Sequence, residues 1–220
     1  MFLKKKDEFT AIKLYSIGKD QGLIDRPALV EAILDVFESM LEEMPKNFDI
    51  DGPYGISKGR TVGIDSFKNK LHQKGHEKYY ALMGRTENRL GFHALFEANR
   101  PNTTYSEIIF WFKKNSYTVP FKELIQRVID PLSASCAFQF DFVEGFDIFA
   151  ESKIKKGFFG VSVEVNSATT QWIDQYESGG YRDIFAFNLL SEEQYTEATK
   201  KKPRLVGEPI NNKYLVANNA

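Results

Sequence analysis

Cysteine is nearly absent from this chain. Cys136 is the single one in 220 residues, so no intrachain disulfide can form and no thiol pair is available to grip zinc. Long apolar runs are missing too, and nothing approaches the roughly 20 consecutive residues that a membrane-spanning helix needs. The N-terminal MFLKKKDEF has charge but no apolar core behind it, so it does not read as a signal peptide. Neither sign of charge is in excess. A formal net charge of −1 argues against broad electrostatic attachment to nucleic acid, which needs uncompensated Lys and Arg. Low-complexity tracts, exact repeats and linkers are also lacking. These absences are read as a cytoplasmic globular protein with no cofactor and neither nucleic acid nor membrane as partner.

What the chain has is aromatic mass, 19 Phe and 10 Tyr, enough for a large core and for interface anchors. The clearest helix runs from Leu29 to Met44, where Leu29, Val30, Ile33, Leu34, Phe37, Met40, Leu41 and Met44 form a stripe at helical period. Asp25 stands where a cap belongs, Pro27 suits a first turn, and Pro45 ends the run. Residues 46–63 carry four glycines and read as a loop. Further helices are expected over Ile64–Lys74 and Pro120–Leu132.

Strand character appears at Glu8–Ile17, then at Lys78–Met83, Leu90–Ala98 and Tyr105–Lys113. The last three are separated by turn material (GRTEN, NRPNTT) and read as an antiparallel meander. Short strands follow at Cys136–Val143, Phe146–Ser152, Phe158–Val165, Ile184–Leu189 and Tyr214–Val216. The fold expected is α+β, a largely antiparallel sheet with helices packed on one face, in a single domain over 1–220. A helix-then-strands pattern occurs twice, which leaves open a division into subdomains 1–115 and 116–220.

Residues 191–203 carry a complete helix grammar. Ser191 and Gln194 stand at capping-box spacing, and Leu190 and Tyr195 flank them as a hydrophobic staple. Lys200, Lys201 and Lys202 suit a helix C-terminus, and Pro203 stops it.

Candidate chemistry is sparse. His72 and His76 share a helical stripe, but Gln73 replaces the Glu of a zinc-protease motif and no third ligand is near, so an exposed helix flank is the better reading. GISKGRTVG, residues 55–63, has three residues between its first glycines where a phosphate loop has four, and reads as a surface loop. Cys136 and His93 fall in strands and take structural readings.

The acidic run FQFDFVEGFDIFAE, residues 138–151, is more suggestive. A three-residue loop over Val143–Gly145 would pair Phe142 with Phe146, Phe140 with Ile148 and Phe138 with Ala150, keeping one face apolar. That register sets Asp141 against Asp147 on the outer face, with Glu144 and Glu151 nearby. Directly opposed like charges cost a few tenths of a kcal/mol up to about 1. A cation would relieve them, either from a partner or as a metal. Asp141, Glu144, Asp147 and Glu151 are therefore the candidate partner-binding residues; no catalytic or metal-ligating set is assigned.

YRDIFAFNLLSEEQY, residues 181–195, with the later NNKYLV, resembles the C-terminal signature of bacterial immunity proteins. These are antidotes to polymorphic or type VI-delivered toxins. YYALMG, FHALFEA and YSEIIFWFKK are similar in order and character to the same group, so the resemblance covers the C-terminal two-thirds of the chain. It implies a cytoplasmic antitoxin that neutralises one cognate toxin domain by stoichiometric binding, with no catalytic residues to carry over. The alternatives are a small enzyme using an Asp141/Asp147 metal or catalytic site, and a general protein-binding module.

Overall fold

The computed structural model describes residues 7–17, 24–51, 61–72, 80–87, 90–99, 104–114, 120–144, 146–147, 152–157, 160–164, 176, 180–181 and 185–217. Strand β1 (Glu8–Ile17) is followed by helix α1 (Arg26–Met40), β2 (Asn47–Asp51), α2 (Ile64–Leu71), β3 (Ala81–Arg85), β4 (Gly91–Asn99) and β5 (Thr104–Lys113). Then come α3 (Phe121–Leu132), β6 (Cys136–Val143), β7 (Phe146–Asp147), β8 (Ser152–Gly157) and β9 (Gly160–Glu164). The chain closes with β10 (Phe187–Ser191), α4 (Glu192–Lys201), β11 (Val206–Ile210) and β12 (Lys213–Ala217).

The class is α+β. Nine strands form one antiparallel sheet in the order β11-β12-β10-β6-β1-β5-β4-β3-β2, and β7-β8-β9 form a small second sheet. The first strand lies at the centre, joining the meander to the C-terminal strands, so the main sheet is continuous across residue 115.

Register sorts the side chains into two faces. Ile12 and Leu14 of β1 align with Phe110 and Ile108 on β5, Phe92 and Ala94 on β4, and Ala137 on β6. These pack with the apolar stripes of α1, α2 and α3 into one core. Phe48 of β2 and Phe67 of α2 stack at 4.3 Å, tying the sheet edge to that helix. Fully burying a ring of this size contributes about 1.5–3 kcal/mol. Helix α4 lies on the opposite face, against Leu190 and Val216, so packing on a single face holds for α1, α2 and α3 and not for α4.

Local chemistry explains the helix boundaries. Asp25 accepts the Ala28 N–H and Pro27 opens the first turn of α1. At α4 the capping box is formed: Ser191 Oγ accepts the Gln194 N–H at 3.2 Å, and Gln194 Oε1 accepts the Ser191 N–H at 2.9 Å. Gln194 Nε2 also donates to the Gly180 carbonyl at 2.7 Å. The strand before it starts at Phe187, three residues later than the apolar run suggests. Buried Asn188 accepts the Phe185 N–H and donates to the Phe185 carbonyl, closing a turn there.

Two other expectations are corrected. Asn47–Asp51 is a strand inside the expected loop, because β3 pairs with it. Helix α2, expected to reach Lys74, ends at Leu71 with His72 as its cap, and His76 lies outside the described residues. Most of the Gly55–Gly63 stretch lies outside them as well.

Both edges of the large sheet are obstructed. On β11 the Gly207 N–H donates to Tyr195 Oη at 3.0 Å, and Pro209 has no N–H to offer. On β2 the Phe48 N–H and carbonyl are both taken by the backbone of Val62.

Candidate functional site

The acidic residues singled out from the sequence are not gathered as the expected hairpin would gather them. Strand β6 pairs with β1 and β10, while β7 pairs with β8, placing Asp147 beside Ser152 and leaving Asp141 beside Thr10. The opposition of Asp141 to Asp147 is thereby overturned. Phe138, Phe140 and Phe142 do share a face, but their partners come from distant segments: Phe9 stacks on Phe142 at 5.2 Å and Phe185 on Phe138 at 4.7 Å.

Asp141 already has a cation. Lys114 Nζ lies 2.7 Å from its carboxylate and 3.6 Å from Glu8, and Thr10 Oγ1 donates to it at 2.7 Å. The bond to Asp141 raises the Lys114 pKa above its ordinary value. Glu144 is exposed at the same end of the sheet, its N–H donating to the Asp7 carbonyl. Glu151 lies outside the described residues.

On the side away from α1–α3, the stretch over β2–β4 and the adjoining Trp111 is helix-free among the described residues and has a more organised surface. Across it runs a row of Asn47, Arg85, Gly91, Trp111 and Ala11, followed by a row of Asp49, Met83, His93, Ile109 and Lys13. Among the described residues no helix lies over the Arg85 and Met83 ends of these rows; further along the same side the helical Tyr176 packs with Tyr15, Tyr105 and Phe138. Arg85 and Asn47 are exposed, and Asp49, Met83, His93 and Trp111 are half-buried. Toward the sheet centre the face closes: Lys13 is 1% exposed and Glu107 7%, with Lys13 Nζ 5.9 Å from the centre of the Phe140 ring.

The face is shaped by one missing side chain. A Cβ on Gly91 would lie 2.3 Å from Trp111 Cζ2, so the indole occupies the space that glycine leaves beside Arg85. Arg85 Nε and Nη2 both point at Met83 Sδ, at 3.1 and 2.9 Å. Burial, then the charges of Lys13 and Arg85, lowers the His93 pKa to about 4, so its imidazole is neutral at pH 7. Burial pushes the Cys136 thiol well above its ordinary value, which keeps it protonated and unreactive.

A cleft of about 350 Å³ lies at the far end of β1, lined by Ser133, Ser135, Ser191, Glu193 and Lys213. Ser135 and Ser191 use their hydroxyls internally, toward the backbone of Ile17 and Gln194. Among the described residues no three His, Cys, Asp or Glu side chains converge as a metal site would require, and no helix is long and apolar enough to cross a membrane.

Sequence reading missed the Arg85 surface because it placed Arg85 in a turn and Lys13 in an ordinary alternation. Only the pairing of β3 with β4 puts Arg85 opposite Gly91 and so beside Trp111.

No known protein family matches the sequence, and no curated protein matches it. A solved structure does share the fold. The Pseudomonas aeruginosa T6SS protein PA0821 superposes with a TM-score of 0.50 at 10% sequence identity, the alignment covering 96% of this chain and 65% of that one. The present chain thus spans about two thirds of that protein's length, and the likeness is one of fold.

Proposed function

We propose that this chain is an immunity protein that binds a cognate antibacterial toxin and neutralises it stoichiometrically, without turnover. The observation that carries the reading is the fold shared with a type VI secretion protein over 96% of the chain. The resemblance of residues 181–195 to the immunity-protein signature supports it independently. The structure gives that signature a physical role: Asn188 and Gln194 fasten the segment to its own turn, holding Phe185 against the sheet.

An antidote of this kind has to hold its target at nanomolar affinity or better, about −12 kcal/mol. Such binding is concentrated in a few aromatic and charged anchors. The test is co-expression with the toxin encoded beside this gene, with titration calorimetry of the purified pair. Protection should require at least equimolar chain and coincide with a 1:1 complex. Protection at a small fraction of the toxin's concentration, or without any complex, would refute the reading.

A further inference from the structure

We propose that the toxin docks on the helix-free face of β2–β4, and that the Arg85 guanidinium there, flanked by Trp111, receives a carboxylate of the toxin. This rests on the immunity reading above and adds the surface and the chemistry of contact.

The fold narrows the choice of surface. One face of the sheet is covered by α1, α2 and α3, and the other is covered at β10 and β12 by α4 and at the Tyr15, Tyr105 and Phe138 positions by the helical Tyr176. Both edges are obstructed, at Gly207 and Pro209 on β11 and at Phe48 on β2, so an added strand would find few backbone groups to pair with. Among the described residues, the part of the sheet surface left open is the stretch carrying Arg85, Trp111, Met83 and His93. Arg, Trp and Met are the residue types enriched in the buried centres of protein interfaces.

Arg85 identifies the kind of group that docks. Among the described residues it has no carboxylate partner, although it is exposed at the strand ends of this face, as the last residue of β3. Nε and Nη2, the two donors that can engage a carboxylate side by side, are instead both directed at the Met83 thioether. A thioether is a weak acceptor, so displacing it leaves no expensive unsatisfied group. The fork is already extended along the face, which reduces the ordering that binding requires.

The charges on this face are mixed: Asp49 and Glu107 share it with Lys13 and Arg85, Lys13 and Glu107 are buried, and His93 is neutral at pH 7, so Arg85 is the exposed cation these rows offer to an incoming carboxylate. Trp111, seated over Gly91, supplies a large flat apolar wall beside the fork.

The experiment measures association and dissociation of the purified chain with the toxin from the neighbouring reading frame, together with unfolding midpoints. Arg85→Ala should weaken binding about 30-fold or more, mostly through faster dissociation, while leaving the midpoint unchanged because Arg85 is exposed. Arg85→Lys should recover only part of the loss, since an ammonium lacks the two-pronged geometry. Asp141→Asn, whose carboxylate sits on the other face of the sheet beside Thr10, should bind like the wild type. Wild-type affinity in Arg85→Ala, or a loss confined to Asp141→Asn, overturns the docking surface while leaving the immunity reading standing. A wild-type chain that does not bind the toxin at all overturns both.

Discussion

Lowering the pH should destabilise this protein through His93 in particular. Burial beneath the helix-free face, with Lys13 and Arg85 as neighbours, brings its pKa from 6.5 to about 4. In the unfolded chain the imidazole is hydrated and takes its proton near the ordinary value. Between those two points the unfolded state therefore binds more protons, and linkage requires stability to fall as the pH drops from about 6.5 toward 4. At about 1.4 kcal/mol per pH unit, the loss is about 2 kcal/mol at pH 5 and about 3 below pH 4. Carboxylates titrate in the same range, so the test is a difference: urea unfolding of the wild type and of His93→Gln, each at pH 7.5 and 5.0. The variant should be somewhat weaker at pH 7.5 but should lose about 2 kcal/mol less on acidification. The chain has only three histidines, so the imidazole titration can also be followed directly by NMR. Parallel acid losses in the two proteins, or a His93 midpoint near 6.5, would refute the reasoning.

Other perturbations probe the scaffold. Gly84→Ala puts a Cβ 2.4 Å from Phe92 Cε1 and 3.1 Å from Phe48 Cε1, two rings that are fully buried, and should cost about 1–3 kcal/mol in urea unfolding. Ser191→Ala removes the formed cap of α4 and should cost about 0.5–2 kcal/mol; an unchanged midpoint would mean the cap contributes nothing. Asn188→Leu strands the N–H and carbonyl of Phe185, and about 1–3 kcal/mol should be lost, with faster amide exchange at Phe185.

Much of the scaffold was legible wherever the signal is local. The stripe from Leu29, the alternation of Glu8–Ile17 and the Ser191/Gln194 box each need only a few consecutive residues to declare themselves. Pairing is where legibility ended. Alternation in FQFDF tells which residues share a face, but the strand beside it is chosen by the whole sheet, and β1, some 130 residues earlier, takes the place expected of residues 146–150. The peptide NFDID has little strand propensity and is held extended by β3 on one side and Val62 on the other. The candidate surface was hidden for the same reason, since Arg85, Gly91 and Trp111 become neighbours only when three strands are in register.

A nine-stranded open sheet is by its nature a seed for further strands, and a chain built on one has to avoid sticking to itself at high concentration. Here a single phenol stands guard at one border. Replacing Tyr195 with Phe would keep the ring on Tyr214 yet release the Gly207 N–H. Edge-to-edge growth at high concentration would then become easier, so that lasting solubility, before folding or affinity, is what this one hydroxyl protects.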